Sequence, residues 1–163
     1  YGSTNPGATN MSRSNHRTAA LMTFILDILK GVLTTCLAVQ CGFSLQLAHL
    51  CGCCAVLGHI FPLYHDFIWG KGAATYFGVM LVLNSTVAGM AFCVWSLSLA
   101  LFRNSGFSAV LTSCVTPFLV LANPSNAHLF TAVLSANFLI IACHARNIEQ
   151  LSQHLYKQLL YKQ

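Results

Sequence analysis

From Thr18 onward the chain alternates long apolar runs with short polar breaks. The runs are approximately Ala19–Val39, Leu45–Leu63, Ala73–Leu83, Val87–Phe102, Phe107–Ala122 and Leu129–Cys143. Between them lie Gly42–Ser44, Tyr64–Gly72, Asn84–Thr86, Arg103–Gly106 and Asn123–His128. Each run reads as a helix, because the apolar stretches are too long and too continuous for half-buried strands. A bilayer-spanning helix needs about 20 residues, so several of these runs are short. Tilted or broken helices, with irregular backbone buried among neighbours, are expected.

Past the last run, Ile148, Leu151, Leu155 and Leu159 recur at helical spacing, with Gln150, Gln153, Lys157 and Lys162 elsewhere around the wheel. This pattern predicts an interfacial amphipathic helix rather than another span. The expected architecture is therefore all-α: a polytopic membrane helix bundle with about six spans. It is one domain over residues 1–163, made of a polar loop 1–18, a bundle 19–143 and an amphipathic tail 144–163.

Composition strengthens the membrane assignment. Of 163 residues 56% are apolar and 7% charged, against roughly a quarter charged in a soluble domain. So few charges cannot solvate a water-facing surface of this size, which excludes a cytosolic enzyme and a disordered chain. The eight cysteines lie mostly within apolar runs, where a thiol behaves as a small hydrophobe, so they imply no disulfide framework. Cys51, Cys53 and Cys54 lack a matching Cys/His pair at zinc spacing, and no metal is expected.

The net charge of +5 arises from eight basic and three acidic side chains. Arg13 and Arg17 precede the first run, Lys71 and Arg103 lie in polar breaks, and Arg146, Lys157 and Lys162 follow the last run. If Asn84–Thr86 is a turn between two short spans, all these basic segments fall on one side, as the positive-inside rule expects. The alternative, one long helix from Ala73 to Phe102 with Asn84 buried in it, would put Arg103 and the tail on the other side. The broken arrangement is preferred.

Three polar segments share that basic side. Gly2-Ser3-Thr4-Asn5-Pro6-Gly7-Ala8-Thr9-Asn10-Met11-Ser12-Arg13 is dense in small hydrogen-bonding residues, with glycines that admit an anion to the backbone and an arginine able to grip a phosphate. The alternative is a solvated loop before a helix. Gly58-His59-Ile60-Phe61-Pro62 leads into Gly70-Lys71-Gly72-Ala73-Ala74-Thr75 at a helix start. There backbone amides, a helix N-terminus and an ammonium combine into a phosphate cradle. It is not a P-loop, which needs a glycine where His65 stands and Ser or Thr where Gly72 stands. His144-Ala145-Arg146-Asn147-Ile148-Glu149 puts His144 and Asn147 three apart on one helical face, suited either to a shared ligand oxygen or to helix-end capping.

Asp27 and Lys30 share a face of the first run at i, i+3. Each charge near a bilayer centre costs about 2.5–3.5 kcal/mol, so the pair is expected to face the bundle interior and neutralise itself, with a ligand contact by Lys30 as the alternative. His49 and His128, near run ends, are expected to bond backbone or water, and Trp69 and Trp95 to pack or sit at the lipid interface.

Taken in order, these segments resemble the bacterial acyl-phosphate-dependent glycerol-3-phosphate acyltransferase family (PlsY-type). The likeness rests on Gly2–Asn10 with Arg13, Asp27-Ile28-Leu29-Lys30-Gly31, Gly58–Pro62, Gly70–Thr75, and His144 with Asn147-Ile148. It implies a seven-span fold, so a helix preceding Tyr1 is expected. It also implies transfer of an acyl group from acyl phosphate to the 1-hydroxyl of glycerol 3-phosphate, giving lysophosphatidic acid and phosphate. No cofactor, metal or nucleic acid is implied. Membrane lipids are the surroundings, and the active site faces the cytoplasm of the bacterial inner membrane.

On this resemblance Ser3, His144 and Asn147 are the catalytic candidates. Asn5, Thr9, Asn10, Arg13, Lys30, Gly58, His59, Gly70, Lys71, Gly72 and Thr75 are the substrate-binding candidates. The other glycerol phosphate acyltransferases use a His followed five residues later by Asp. Neither Asp27, preceded there by Met22, nor Asp66, preceded there by Phe61, meets that spacing. The substrate's own phosphate is then the expected proton acceptor.

There are departures from the family pattern: Ile68 and Trp69 stand for Lys and Gly, Thr4 for Gly, Ala145 for a basic residue, and His154 and Tyr156 for a closing Gly and Glu. Two other classes remain open. A catalytically weakened lipid-binding or scaffolding protein would bind acyl phosphate without turnover. A small anion transporter should show internal repeat symmetry, which the chain lacks.

Overall fold

The computed structural model describes residues 7–13, 16–63, 70–122, 127, 129–149 and 152–153, the side chain of Arg13 excepted. Among the described residues the helices are, in order, α1 (Ala8–Arg13), α2 (Arg17–Gln40), α3 (Leu45–Ile60), α4 (Ala73–Leu83), α5 (Ser85–Phe102), α6 (Ser105–Leu121) and α7 (Phe130–Cys143). The apolar runs thus appear as α2 to α7, with ends within a few residues of the pattern. By length and composition α2 and α5 are long and apolar enough to cross a membrane, while α3, α4, α6 and α7 are shorter apolar helices.

The polar breaks stop helices by identifiable chemistry. Asn84 has extended backbone (φ −157°, ψ 86°); its N–H closes α4 on the Met80 carbonyl at 2.8 Å, and its side chain accepts from Val87 N at 3.0 Å to open α5. One asparagine therefore ends one helix and caps the next, and Ala73–Phe102 is two helices. Ser44 and Asn104 cap α3 and α6 in the same way, accepting from Leu47 N and Phe107 N. The first polar segment is less open than its composition suggests, since Ala8–Arg13 winds into α1.

α2 crosses α4 closely, and glycine makes it possible. A methyl group on Gly31 would collide with the Thr75 carbonyl oxygen, and one on Gly78 with the carbonyl oxygen of Ile28. Small residues bring the backbones together here, the packing that lipid-embedded helices favour where apolar burial gives no driving force.

The core is built from Val56 and Ile60 (α3), Tyr76, Val79 and Met80 (α4), Val87 and Ala88 (α5), Val120 (α6), and Val133, Ala136 and Ile140 (α7), with Leu129 beside them. Large apolar side chains such as Leu33, Leu37, Leu97, Leu101, Phe118 and Phe138 point outward. Lipid, not water, suits such a surface.

One buried histidine behaves differently from expectation, whereas the charged pair of α2 does not. His49, near the start of α3, is buried with Nε2 3.1 Å from the Tyr76 hydroxyl, a side-chain partner in place of the expected backbone or water. Asp27 and Lys30 do pair, Nζ donating to Oδ1 at 2.8 Å. The amphipathic tail and His128 lie largely outside the described residues, although residues 145–149 and 152–153 are helical.

Candidate active site

A cavity of about 630 Å3 opens among α1, α2, α4, α5, α6 and α7. One end is polar and cationic. Gly70, Lys71 and Gly72 enter it just before α4, Arg103 and Ser105 come from the α5–α6 connection, Thr9 and Asn10 from α1, and His144 and Asn147 from the end of α7 and beyond.

The local conformations bring these groups together. Gly72 caps α4 with φ +77°, which costs a side chain but not a glycine, so the chain turns sharply from Lys71 into the helix. Arg103 takes φ +50° at the end of α5, a conformation uncommon for a non-glycine residue and enriched at functional sites. The first turns of α4 and α6 both line the cavity, so two helix N-termini supplement the positive charge of Lys71 and Arg103. Asp27 is the one acid on the cavity wall among the described residues.

Contacts across the rim tie distant segments into one surface. The hydroxyls of Thr9 and Ser105 lie 3.1 Å apart. Lys71 Nζ donates to Asn147 Oδ1 at 2.5 Å. Asn147 in turn lies so close to Gly106 that a Cβ there would overlap its amide nitrogen.

His144 is 3% exposed, and Nδ1 lies 2.8 Å from the Ile140 carbonyl oxygen. A carbonyl only accepts, so Nδ1 carries the hydrogen and Nε2 is left as an acceptor. The His144 pKa is lowered to about 4, chiefly by burial; the Ile140 bond opposes this and the nearby Lys71 cation adds to it. The ring is therefore neutral at physiological pH.

The other end is apolar and aromatic. Phe77, Phe92, Trp95 and Phe24 form a continuous row, with ring centroids 5.7, 6.0 and 6.4 Å apart in that sequence. With Leu21 and Leu99 they give the cavity a lane lined by α2, α4 and α5. An anionic head and an apolar tail can thus occupy one continuous space.

Of the candidates read from the sequence, Thr9, Asn10, His59, Gly70, Lys71, Gly72, His144 and Asn147 line this cavity. Three do not. Gly58 sits on the outer side of α3 with open space around it, and Thr75 is buried at the α2–α4 crossing beneath Gly31. Lys30, drawn down by Asp27, borders a separate cavity of about 270 Å3. Ser3 and Asn5 lie outside the described residues, as does the side chain of Arg13; so do the departures at 4, 68, 69, 154 and 156, while Ala145 is exposed.

Sequence reasoning passed over Arg103, Ser105 and Gly106 as a polar connection, read Trp95 as packing or lipid-interface, and did not single out Phe24. The signal available for the first group was a basic residue beside a capping asparagine, on the same side as Lys71.

A family model described as "Glycerol-3-phosphate acyltransferase" matches residues 1–154. The chain belongs to the glycerol-3-phosphate acyltransferase family. Two relatives that carry this name, from Pseudomonas fluorescens and Aromatoleum aromaticum, are 38% and 41% identical over 151 and 155 residues. These alignments cover 92% and 93% of this chain and 78% and 77% of the relatives.

The fold agrees with solved acyltransferases. The crystal structure of PlsY, an integral membrane glycerol 3-phosphate acyltransferase, in its glycerol 3-phosphate form superposes with a TM-score of 0.88 at 28% identity, covering 94% of this chain and 77% of that one. Its lysophosphatidic acid form gives 0.82 at 31% identity, covering 94% and 79%. The all-helical membrane fold expected from the sequence is the fold of this acyltransferase family.

Proposed function

We propose that this acyltransferase moves an acyl group from acyl phosphate to the 1-hydroxyl of glycerol 3-phosphate at the cytoplasmic face of the bacterial inner membrane. The products are 1-acyl-glycerol 3-phosphate and phosphate. The observation that carries the reading is the two-ended cavity, with cations and helix N-termini at one end and an aromatic lane at the other. Relatives named for the acceptor, and a solved relative in both glycerol 3-phosphate and lysophosphatidic acid forms, support it. The positive residues at the cavity mouth support the cytoplasmic side.

Acyl phosphate is a mixed anhydride with a good leaving group. The protein then needs chiefly to hold two anions and to stabilise the oxyanion that forms when the glycerol oxygen attacks the carbonyl carbon. The new C–O bond forms as the acyl C–O bond to phosphate breaks, and phosphate leaves with the electron pair. Lys71 and Arg103 hold the phosphates and offset the developing charge.

His144 Nε2 accepts a hydrogen bond from the hydroxyl and aims its oxygen at the carbonyl. It does not keep the proton, because a phosphate monoester with a second pKa of about 6 is the stronger base beside an imidazole at about 4. The proton passes to phosphate, consistent with a cavity wall that carries one acid among the described residues.

The test is phosphate release from palmitoyl phosphate by the protein purified in lipid. Release that requires glycerol 3-phosphate, and that falls at least tenfold in Ser3→Ala and in His144→Ala, supports the reading. No release, or release indifferent to both substitutions, overturns it.

A further inference from the structure

The mechanism above leaves one buried acid without a task. Asp27 in α2 is 7% exposed. Lys30 donates to its Oδ1, but Lys30 is on the same helix and its side chain is 52% exposed, so this partner does not explain why the acid turns inward.

Across from it, Oδ1 lies 3.4 Å from Nδ1 of His59 in α3, an ion-pair distance. That nitrogen makes no hydrogen bond among the described residues. The far edge of the ring, Nε2 and Cδ2, rests on the bare α-carbon of Gly70, where any Cβ would overlap it. Gly70 N also donates to the His59 carbonyl oxygen at 3.3 Å. The residue before Lys71 is therefore held to His59 twice. Lys71 itself reaches across the cavity to Asn147. Asp27, His59 and Gly70, together with Gly7, border both the main cavity and the smaller one, so the three are part of the partition between them.

We propose that Asp27 and His59 are positioning residues for Lys71. The carboxylate favours the tautomer with hydrogen on Nδ1 and fixes the ring angle; the ring is the seat of Gly70; and that seat aims the next residue's ammonium at the phosphate of the acceptor. The assignment of that phosphate rests on the acyl-transfer reading, whereas the arrangement Asp27–His59–Gly70–Lys71 does not. The pair is proposed to act on the acceptor through Lys71, so it governs how well glycerol 3-phosphate is held more than how fast the bound acceptor reacts.

The experiment compares wild type, Asp27→Asn and His59→Asn in lipid. Asp27→Asn keeps size and removes charge. His59→Asn keeps a donor toward Asp27 and removes the ring beneath Gly70. Glycerol 3-phosphate binding is read by calorimetry, turnover by phosphate release, and folding by thermal midpoint.

Both variants are expected to raise Kd and KM for glycerol 3-phosphate about tenfold, with kcat within threefold and the midpoint within a few degrees of wild type. Gly70→Ala alone should show the same rise, and adding it to His59→Asn should cost nothing further. Folded variants with unchanged KM overturn the proposal. So does a fall in midpoint or folded yield in both variants without a KM shift, since the pair is then only structural. If wild type binds glycerol 3-phosphate but never releases phosphate from acyl phosphate, the acyl-transfer reading fails while the binding comparison still decides the positioning role.

Discussion

Lys71 and Asn147 stand 76 positions apart in the chain and meet at 2.5 Å, ammonium to amide oxygen, over the polar end of the cavity. The contact joins the loop before α4 to the segment after α7, and so closes the site from two ends of the sequence. Removing the ammonium should remove transition-state stabilisation. Lys71→Met is expected to lower kcat/KM for glycerol 3-phosphate by about 10²–10³, the loss typical of a preorganised charge or donor. Asn147→Ala, which leaves the charge but not its aim, should cost less. Steady-state phosphate release checks both.

The depressed His144 pKa sets a pH dependence with a definite sign. Between pH 4 and 6.5 the unfolded chain binds a proton at this position and the folded one does not, so stability falls as the solution is acidified through that window. Above pH 6.5 both states are neutral and the effect vanishes. Its full size is about 3 kcal/mol, reached near pH 4. Thermal midpoints in lipid at pH 7 and pH 5 should differ more for wild type than for His144→Phe. In ring-carbon NMR, His144 should show no titration near 6.5.

Gly31 lies under the carbonyl of Thr75 where α2 crosses α4. Gly31→Leu would push the two backbones apart and unseat the start of α4, which carries Lys71 on its approach. A destabilisation of more than about 4 kcal/mol is expected, at the severe end for single substitutions. Size-exclusion recovery in detergent after mild heating is the check, with exposed Gly89→Leu, which meets open space, as the control.

Trp95 stands between Phe24 and Phe92 in the aromatic lane. Trp95→Ala should change the order of rates among lauroyl, palmitoyl and stearoyl phosphate while KM for glycerol 3-phosphate stays within twofold. Rates measured across the three donors test it. An unaltered order would place the acyl chain elsewhere.

Much of this arrangement is legible in the sequence, for physical reasons. The bundle is written in continuous apolar runs, which bilayer thickness and helix rise convert directly into elements. The break at Asn84 is legible because asparagine both stops a helix and caps one, and the structure shows it doing both. The Asp27–Lys30 pair follows from helical spacing and the cost of lone charges in lipid.

What the sequence does not show is which face of a short helix meets which neighbour. Thr75 and Gly58 look like cradle residues by their place beside motif residues, but the rotation of α4 and α3 turns one into a helix crossing and the other outward. Trp95 and Phe24 come from helices far apart in sequence, and only tertiary packing stacks them. Arg103 and Ser105 sit in a connection whose composition resembles any other polar turn, and their role emerges from the proximity of Thr9 and Lys71 around one cavity.

The most direct test of the central claim follows labelled glycerol 3-phosphate in lipid vesicles carrying the purified protein. With palmitoyl phosphate as donor, the account predicts labelled 1-palmitoyl-glycerol 3-phosphate and phosphate in equal amounts, and none of either with His144→Ala beyond a few per cent of wild type. Product formation from palmitoyl coenzyme A but not from palmitoyl phosphate, or none from either donor, would contradict it.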